Sequence, residues 1–245
     1  MINSSMTVRE IAIELPQSTR LFETLKIDYC CGGDRPLTEA CTSIGVEVGE
    51  VMGMLEAVVS QANAQGDGAP NFQKLPLPEL IAYILDSHHV FTRQEMARLE
   101  SLTKKVISAH GEHHPELHKV GALFDALCAD LKPHMFKEEQ ILFPYILGLV
   151  QANFQNRPTS FAPFGTVNNP IRMMMMEHDS AGEILRELRT TTSDYKTPAD
   201  GCISYRTLYE ALEEFERDLH QHIHLENNIL FPRAIELEAR MTAHI

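Results

Sequence analysis

No uninterrupted apolar run in the 245 residues approaches the ~20 that a membrane-spanning helix requires, and the N-terminus has no basic stretch followed by an apolar core. Basic residues are in the minority: 21 Lys and Arg stand against 34 Asp and Glu, a formal charge of −13. General affinity for nucleic acid or for an anionic membrane needs clustered Lys and Arg, so neither partner is expected. The five cysteines (Cys30, Cys31, Cys41, Cys128, Cys202) are odd in number and scattered, with no CxxC and no zinc-finger spacing. That excludes a structural disulfide framework. These absences predict a cytoplasmic acidic protein, and a 44% hydrophobic content is enough for a real core.

What the chain does contain is a long repeat. His222-Ile223-His224-Leu225-Glu226-Asn227-Asn228-Ile229-Leu230-Phe231-Pro232 has an earlier counterpart in His134-Met135-Phe136-Lys137-Glu138-Glu139-Gln140-Ile141-Leu142-Phe143-Pro144. Each copy has a His, a Glu four residues on, and then Ile-Leu-Phe-Pro. Four residues on a helix return to nearly the same azimuth, so each His–Glu pair forms one edge that can offer a metal two ligands. Upstream, His89 precedes His134 by 45 positions and His178 precedes His222 by 44. A helix with one His followed by a helix with His-x-x-x-Glu, used twice, builds a four-helix bundle whose interior receives four histidines and two carboxylates.

The fold class is therefore all-α, in two parts. Residues 1–62 read as a small helical domain. Thr7 caps a helix that Pro16 ends, Ser18 or Thr19 caps the next, Gly45 stops a third, and a fourth runs to Ala62. Residues 63–76, rich in Gly, Asn, Gln and Pro, read as a linker. Residues 77–245 supply the bundle, with a kink expected at Pro133 and a crossover connection over residues 152–169.

Six residues are the metal-ligand candidates: His89, His134, Glu138, His178, His222 and Glu226. A single His on an apolar face is usually a packing residue. Matched His and Glu at inward positions of both halves are costly to bury without a shared partner. With no thiolate among them, the donors suit iron or manganese rather than structural zinc. If Glu138 and Glu226 each bridge two octahedral irons, the protein fills about eight of twelve positions and a bridging oxide or hydroxide two more, leaving about one open site per iron. His89 is preferred to His88 by its interval, and His220 and His224 face away from His222. The cluster from His110 to His118 reads as a solvated turn, and Met173–Met176 as flexible core filling. Cys30-Cys31-Gly32-Gly33 reads as a turn that leaves the thiols near the surface. Adjacent cysteines close only a strained ring, so they suit redox change, metal contact or an intermolecular disulfide, or else are two ordinary thiols.

Taken together, Ile27-Asp28-Tyr29-Cys30-Cys31-Gly32-Gly33, the segment from His134 to Gln140 and the segment from His222 to Pro232 resemble the Repair of Iron Centres family, hemerythrin-like di-iron proteins of the bacterial nitrosative and oxidative stress response. The resemblance spans both domains. It implies a hemerythrin-like bundle, two iron ions per chain bridged by oxide or hydroxide, and the six candidates as iron ligands with both glutamates bridging; it places Glu177 near the metal. It implies as function the repair of iron–sulfur clusters damaged by nitric oxide or peroxide, with iron donation as the route and Cys30 and Cys31 in redox control or iron transfer. Expected partners are damaged iron–sulfur proteins, nitric oxide or another diatomic ligand, and a second copy of the chain. Two other readings stay open: reduction of nitric oxide at the di-iron site, and small-molecule binding or sensing of the hemerythrin type.

Overall fold

The computed structural model describes residues 2–65, 71–158 and 162–242. Among them there is no strand; one isolated bridge pairs Thr7 with Pro36. Two compact units emerge, one from Met1–Leu80 with His220–Arg233, the other from Ile81–Leu219 with Ala234–Ile245. No helix among the described residues is long and apolar enough to cross a membrane.

The first unit opens with four short helices: α1 (Val8–Glu14), α2 (Ser18–Leu25), α3 (Leu37–Ile44) and α4 (Val48–Gln65). Thr7 caps α1 as expected. Its hydroxyl accepts the Glu10 N–H at 3.1 Å while the Glu10 carboxylate accepts the Thr7 N–H at 2.8 Å, satisfying two otherwise orphaned donors. The second expected cap is corrected. Ser18 and Thr19 lie inside α2, Gln17 precedes it without a side-chain bond, and the Thr19 hydroxyl donates backward to the Pro16 carbonyl at 2.8 Å. Gly45 ends α3 at φ 72°, where a side chain would be strained. Val8, Ile11, Phe22, Leu37, Val51 and Leu55 form the core, each at most 1% exposed. Burial of side chains this size contributes roughly 1.5–3 kcal/mol apiece. Of the linker expected over residues 63–76, residues 63–65 continue α4 and residues 66–70 lie outside the described residues.

Four long helices follow. Helix α5 spans residues 77–110, with Leu77–Tyr83 and Val90–His110 in α form and Ile84–His89 in π form. Helix α6 spans residues 116–154, with a π segment at Glu138–Leu142, and α7 is Asn168–Thr191. Helix α8 spans residues 203–242, with a π segment at Glu226–Leu230. They are the helices of the expected four-helix bundle.

Within the second unit Val106, Val120, Phe124, Leu127, Leu185 and Phe215 are buried. Phe124 and Phe215 meet edge to face at 5.6 Å. The crossover is anchored by Glu238, whose carboxylate accepts the Val167 N–H at 3.0 Å and the Tyr145 hydroxyl at 2.6 Å. Residues 159–161 of the crossover lie outside the described residues.

Two further expectations are corrected. Helix α6 stays α-helical through Pro133, and its irregularity lies five residues later, at the π segment. Of Met173–Met176, only Met174 is core; Met173 and Met176 are 51% and 65% exposed, because a helix spreads successive residues around its axis.

Candidate metal centre

The sequence gives α5, α6 and α8 one irregular turn each, and each irregular turn carries a candidate ligand. His89 ends the π segment of α5, while Glu138 and Glu226 open those of α6 and α8. The Phe143 N–H donates to the Glu138 carbonyl and the Phe231 N–H to that of Glu226, both five residues back. Pro144 and Pro232 come next. A proline has no N–H, and its ring crowds the carbonyl four residues earlier, so a wider turn just before it relieves the clash. The repeated Ile-Leu-Phe-Pro thus encodes backbone geometry as well as packing. π segments occur preferentially at functional sites.

Glu138 and Glu226 are fully buried, as is His89; His134, His178 and His222 are at most 2% exposed. The His134 Nε2 stands 3.3 Å from Glu138 Oε2, the His89 Nε2 3.5 Å from the same oxygen, and the His222 Nε2 3.2 Å from Glu226 Oε1. The Nε2 atoms of His134 and His178 face each other at 3.0 Å. Two ligands in adjacent positions on an octahedral ion with ~2.1 Å bonds stand ~3.0 Å apart, so a cation between these nitrogens and Glu138 fits the spacing. Among the described residues the potential ligands form two groups, His89, Glu138, His222 and Glu226, and His134, Glu138, His178 and Glu226, with the donor atoms of each group within 4.8 Å of one another. All six predicted residues are brought in, and both glutamates belong to both groups.

His88 is not. It is buried beside His89, but its Nδ1 lies 2.9 Å from Asp218 Oδ1 and its ring meets the edge of Tyr83.

The back of the site is also built. The His89 Nδ1 lies 2.7 Å from Glu139 Oε1, and Arg93 binds the same carboxylate. The His134 Nδ1 lies 2.8 Å from Glu177 Oε2, and Lys137 binds Glu177 from the other side. A hydrogen bond from His134, reinforced by Lys137 against partial burial, holds the Glu177 carboxyl down at about 2. Burial works against ionisation of Glu139, but His89 and Arg93 outweigh it and keep its carboxyl below the usual range. An ionised carboxylate at Nδ1 keeps the proton there and turns the Nε2 lone pair inward, toward a metal. Glu139 was missed from the sequence. The signal was available: Glu138-Glu139 lies where the second copy has Glu226-Asn227, and Arg93 stands one helical turn after His89.

The His222–Glu226 segment lies in the first unit together with Tyr29. The buried Asn228 donates from Nδ2 to the Tyr29 carbonyl at 3.0 Å, and the same nitrogen lies 2.8 Å from His224 Nδ1. The Tyr29 ring meets both His224 and His220 edge on, and the His220 Nδ1 lies 2.9 Å from Glu23 Oε1. Burial pushes the His224 imidazole down to about 4, so it stays neutral as a packing and hydrogen-bonding group.

Tyr29 leads into the cysteine turn, where one expectation fails. Cys31 is half-buried, but Cys30 is only 3% exposed. The Asp28 Oδ1 accepts the Cys30 and Cys31 N–H groups at 3.1 and 3.0 Å, closing a loop that points the Cys30 thiol inward. Its Sγ lies 3.7 Å from that of Cys31, unbonded, and the Cys31 contact together with burial pushes the Cys30 thiol well above its usual range. Gly33 makes the turn fit, since a Cβ there would stand 2.8 Å from the Tyr29 carbonyl oxygen.

Comparison with known proteins points the same way. Residues 80–234 match the family described as Hemerythrin HHE cation binding domain, and residues 4–59 match ScdA_N, a domain of unknown function. The iron-sulfur cluster repair protein YtfE of Musicola paradisiaca is 36% identical over 230 residues, covering 94% of this chain and 96% of that one. The proteins of the same name from Yersinia pseudotuberculosis and Pectobacterium atrosepticum are each 34% identical, over 93% and 97% of this chain and 96% and 100% of their own.

Proposed function

Because the chain belongs to the family of two-domain, hemerythrin-like iron–sulfur cluster repair proteins, we propose that it restores damaged iron–sulfur clusters by supplying iron from a labile di-iron centre. The observation that carries this reading is the double membership of Glu138 and Glu226, each of which stands in both groups of ligands. In this reading His89 and His222 serve one iron, His134 and His178 the other, and the two carboxylates bridge them. Bound there, the iron is the cargo to be handed to a damaged cluster.

The side chains explain why such a centre would hold iron and still release it. Six residues supply four nitrogens and four carboxylate oxygens, fewer than two octahedral ions require, so exchangeable oxygen ligands complete the set. Glu139 and Glu177 keep the imidazole lone pairs of His89 and His134 directed at the metal. The bundle of residues 77–245 is the store and the domain of residues 1–62 carries Cys30 and Cys31 as the relay or redox control. The hydrogen bond from Asn228 to the Tyr29 carbonyl supports that pairing, because it ties the cysteine turn to the segment bearing His222 and Glu226.

The test is iron per chain, with Mössbauer and absorption spectra, on anaerobically purified protein before and after adding a protein with a damaged cluster. About two irons per chain, lost to the acceptor as its cluster recovers, is the expected result. A Glu138→Ala, Glu226→Ala variant that repairs at the wild-type rate would sink the proposal. An intact centre that loses no iron but forms a nitrosyl adduct would move the function to nitric oxide chemistry.

A further inference from the structure

Cys202 and His110 are 92 residues apart in sequence and meet in the second unit, with the Sγ 3.1 Å from the imidazole Nε2. Neither is among the candidate metal ligands. Cys202 is exposed and sits immediately before α8, where its sulfur also accepts the backbone N–H groups of Ser204 and Tyr205. Three donors from two elements therefore converge on one sulfur: an imidazole from the end of α5 and two amides from the first turn of α8. Aromatic and acidic groups surround the pair. His110 packs against the rings of Tyr205 and His114, and His114 contacts Asp200 at 3.1 Å and Glu116 at 3.0 Å. The field of Asp200 also reaches His110.

We propose that Cys202 and His110 form a reactive-thiol site, separate from the metal centre, that takes low-molecular-weight disulfides and becomes a mixed disulfide. The Cys202 thiolate attacks one sulfur of the disulfide. A new S–S bond forms as the old one breaks, and the departing thiolate takes up the proton that the Cys202 thiol released, passed through the His110 imidazole or solvent. One disulfide is consumed and one is made, so no other oxidant is required.

Three of the other four thiols lack this exposure. Cys41 and Cys128 are buried with their thiols pushed up, Cys128 to about 12, and Cys30 is buried as well. The hydrogen bond from His110 and the amides of α8 hold Cys202 down at about 7 instead. About half of it is then thiolate at pH 7, against roughly 3% for an unperturbed thiol. The lower intrinsic nucleophilicity of such a thiolate reduces that gain to about threefold in rate.

The experiment treats the full-length protein with oxidised glutathione between pH 6 and 10 and follows each cysteine by peptide mass spectrometry. Cys202 is expected to react first of the five. His110→Ala should react slower at pH 7, by at most about threefold since the α8 amides remain, and as fast or faster at pH 10, where both thiols are ionised and the variant thiolate is the stronger nucleophile. His110→Gln, which keeps most of the packing, should follow His110→Ala, and Cys202→Ser should lose the modification. Circular dichroism verifies that the variants fold. Modification that begins at another cysteine, or a pH profile that the His110 variants leave unchanged, would overturn the proposal.

Discussion

The backbone N–H of Phe143 donates to the carbonyl of Glu138, five residues back rather than four. Phe231 and Glu226 repeat the arrangement. In both places a fully buried carboxylate opens the widened turn and a proline follows it, so the ligand and the irregular backbone are set by one short stretch of sequence. Replacing Pro144 or Pro232 by Ala restores an N–H and removes the ring that crowds the preceding turn. The metal-free protein should then gain about 1 kcal/mol of stability while the holo-protein loses iron several-fold faster. Thermal unfolding of the apo form and iron release to a chelator check the two halves of that prediction.

Glu139 and Glu177 should set metal affinity without touching the metal. Glu139→Gln and Glu177→Gln are each expected to weaken iron binding by roughly 10- to 100-fold in chelator competition, with the apo-protein folded as before. Lys137→Met should have a smaller effect in the same direction, since it removes only the cation that holds Glu177 in place.

Asn228 joins the segment bearing His222 and Glu226 to the turn bearing Cys30. Asn228→Ala leaves the buried Tyr29 carbonyl without that donor, at a cost of about 1–3 kcal/mol in urea unfolding. Loosening the turn should also expose Cys30, so its labelling by iodoacetamide under native conditions should rise while Cys128 stays protected.

Gly33→Ala tests the turn from the other side. The added methyl meets the Tyr29 carbonyl at 2.8 Å and the Arg9 Cβ at 3.1 Å. Because the Gly33 carbonyl also accepts the Arg9 N–H at 2.8 Å, the strain passes to the start of α1, and a loss of about 1–3 kcal/mol is expected. Iron content should not change, which separates this variant from those of the bundle.

The helices and the convergence of six side chains were legible because both depend on periodicity. His89, His134, Glu138, His178, His222 and Glu226 recur at matched intervals, and helical geometry alone carries them to one side. Features that depend on one or two local hydrogen bonds were not legible. Cys30 is buried because Asp28 gathers two amides, and Ser18 and Thr19 miss the cap because the Thr19 hydroxyl turns back to Pro16. The role of Glu139 needs a cation four residues beyond a histidine on another helix, a coincidence of tertiary structure. The irregularity of α6 was expected at the wrong proline: Pro133 sits within regular helix, while Pro144 marks the π turn.

A π turn contains one residue more than the α turn it replaces. Deleting a single residue between Glu138 and Leu142 would let the segment close as an ordinary α turn, with the buried Phe143, Ile146 and Leu149 still on the core side, whereas the same deletion in regular helix would rotate everything beyond it by about 100°. The same holds for α8 between Glu226 and Leu230. Loss of one residue within either segment should therefore cost the fold less than the same loss in regular helix.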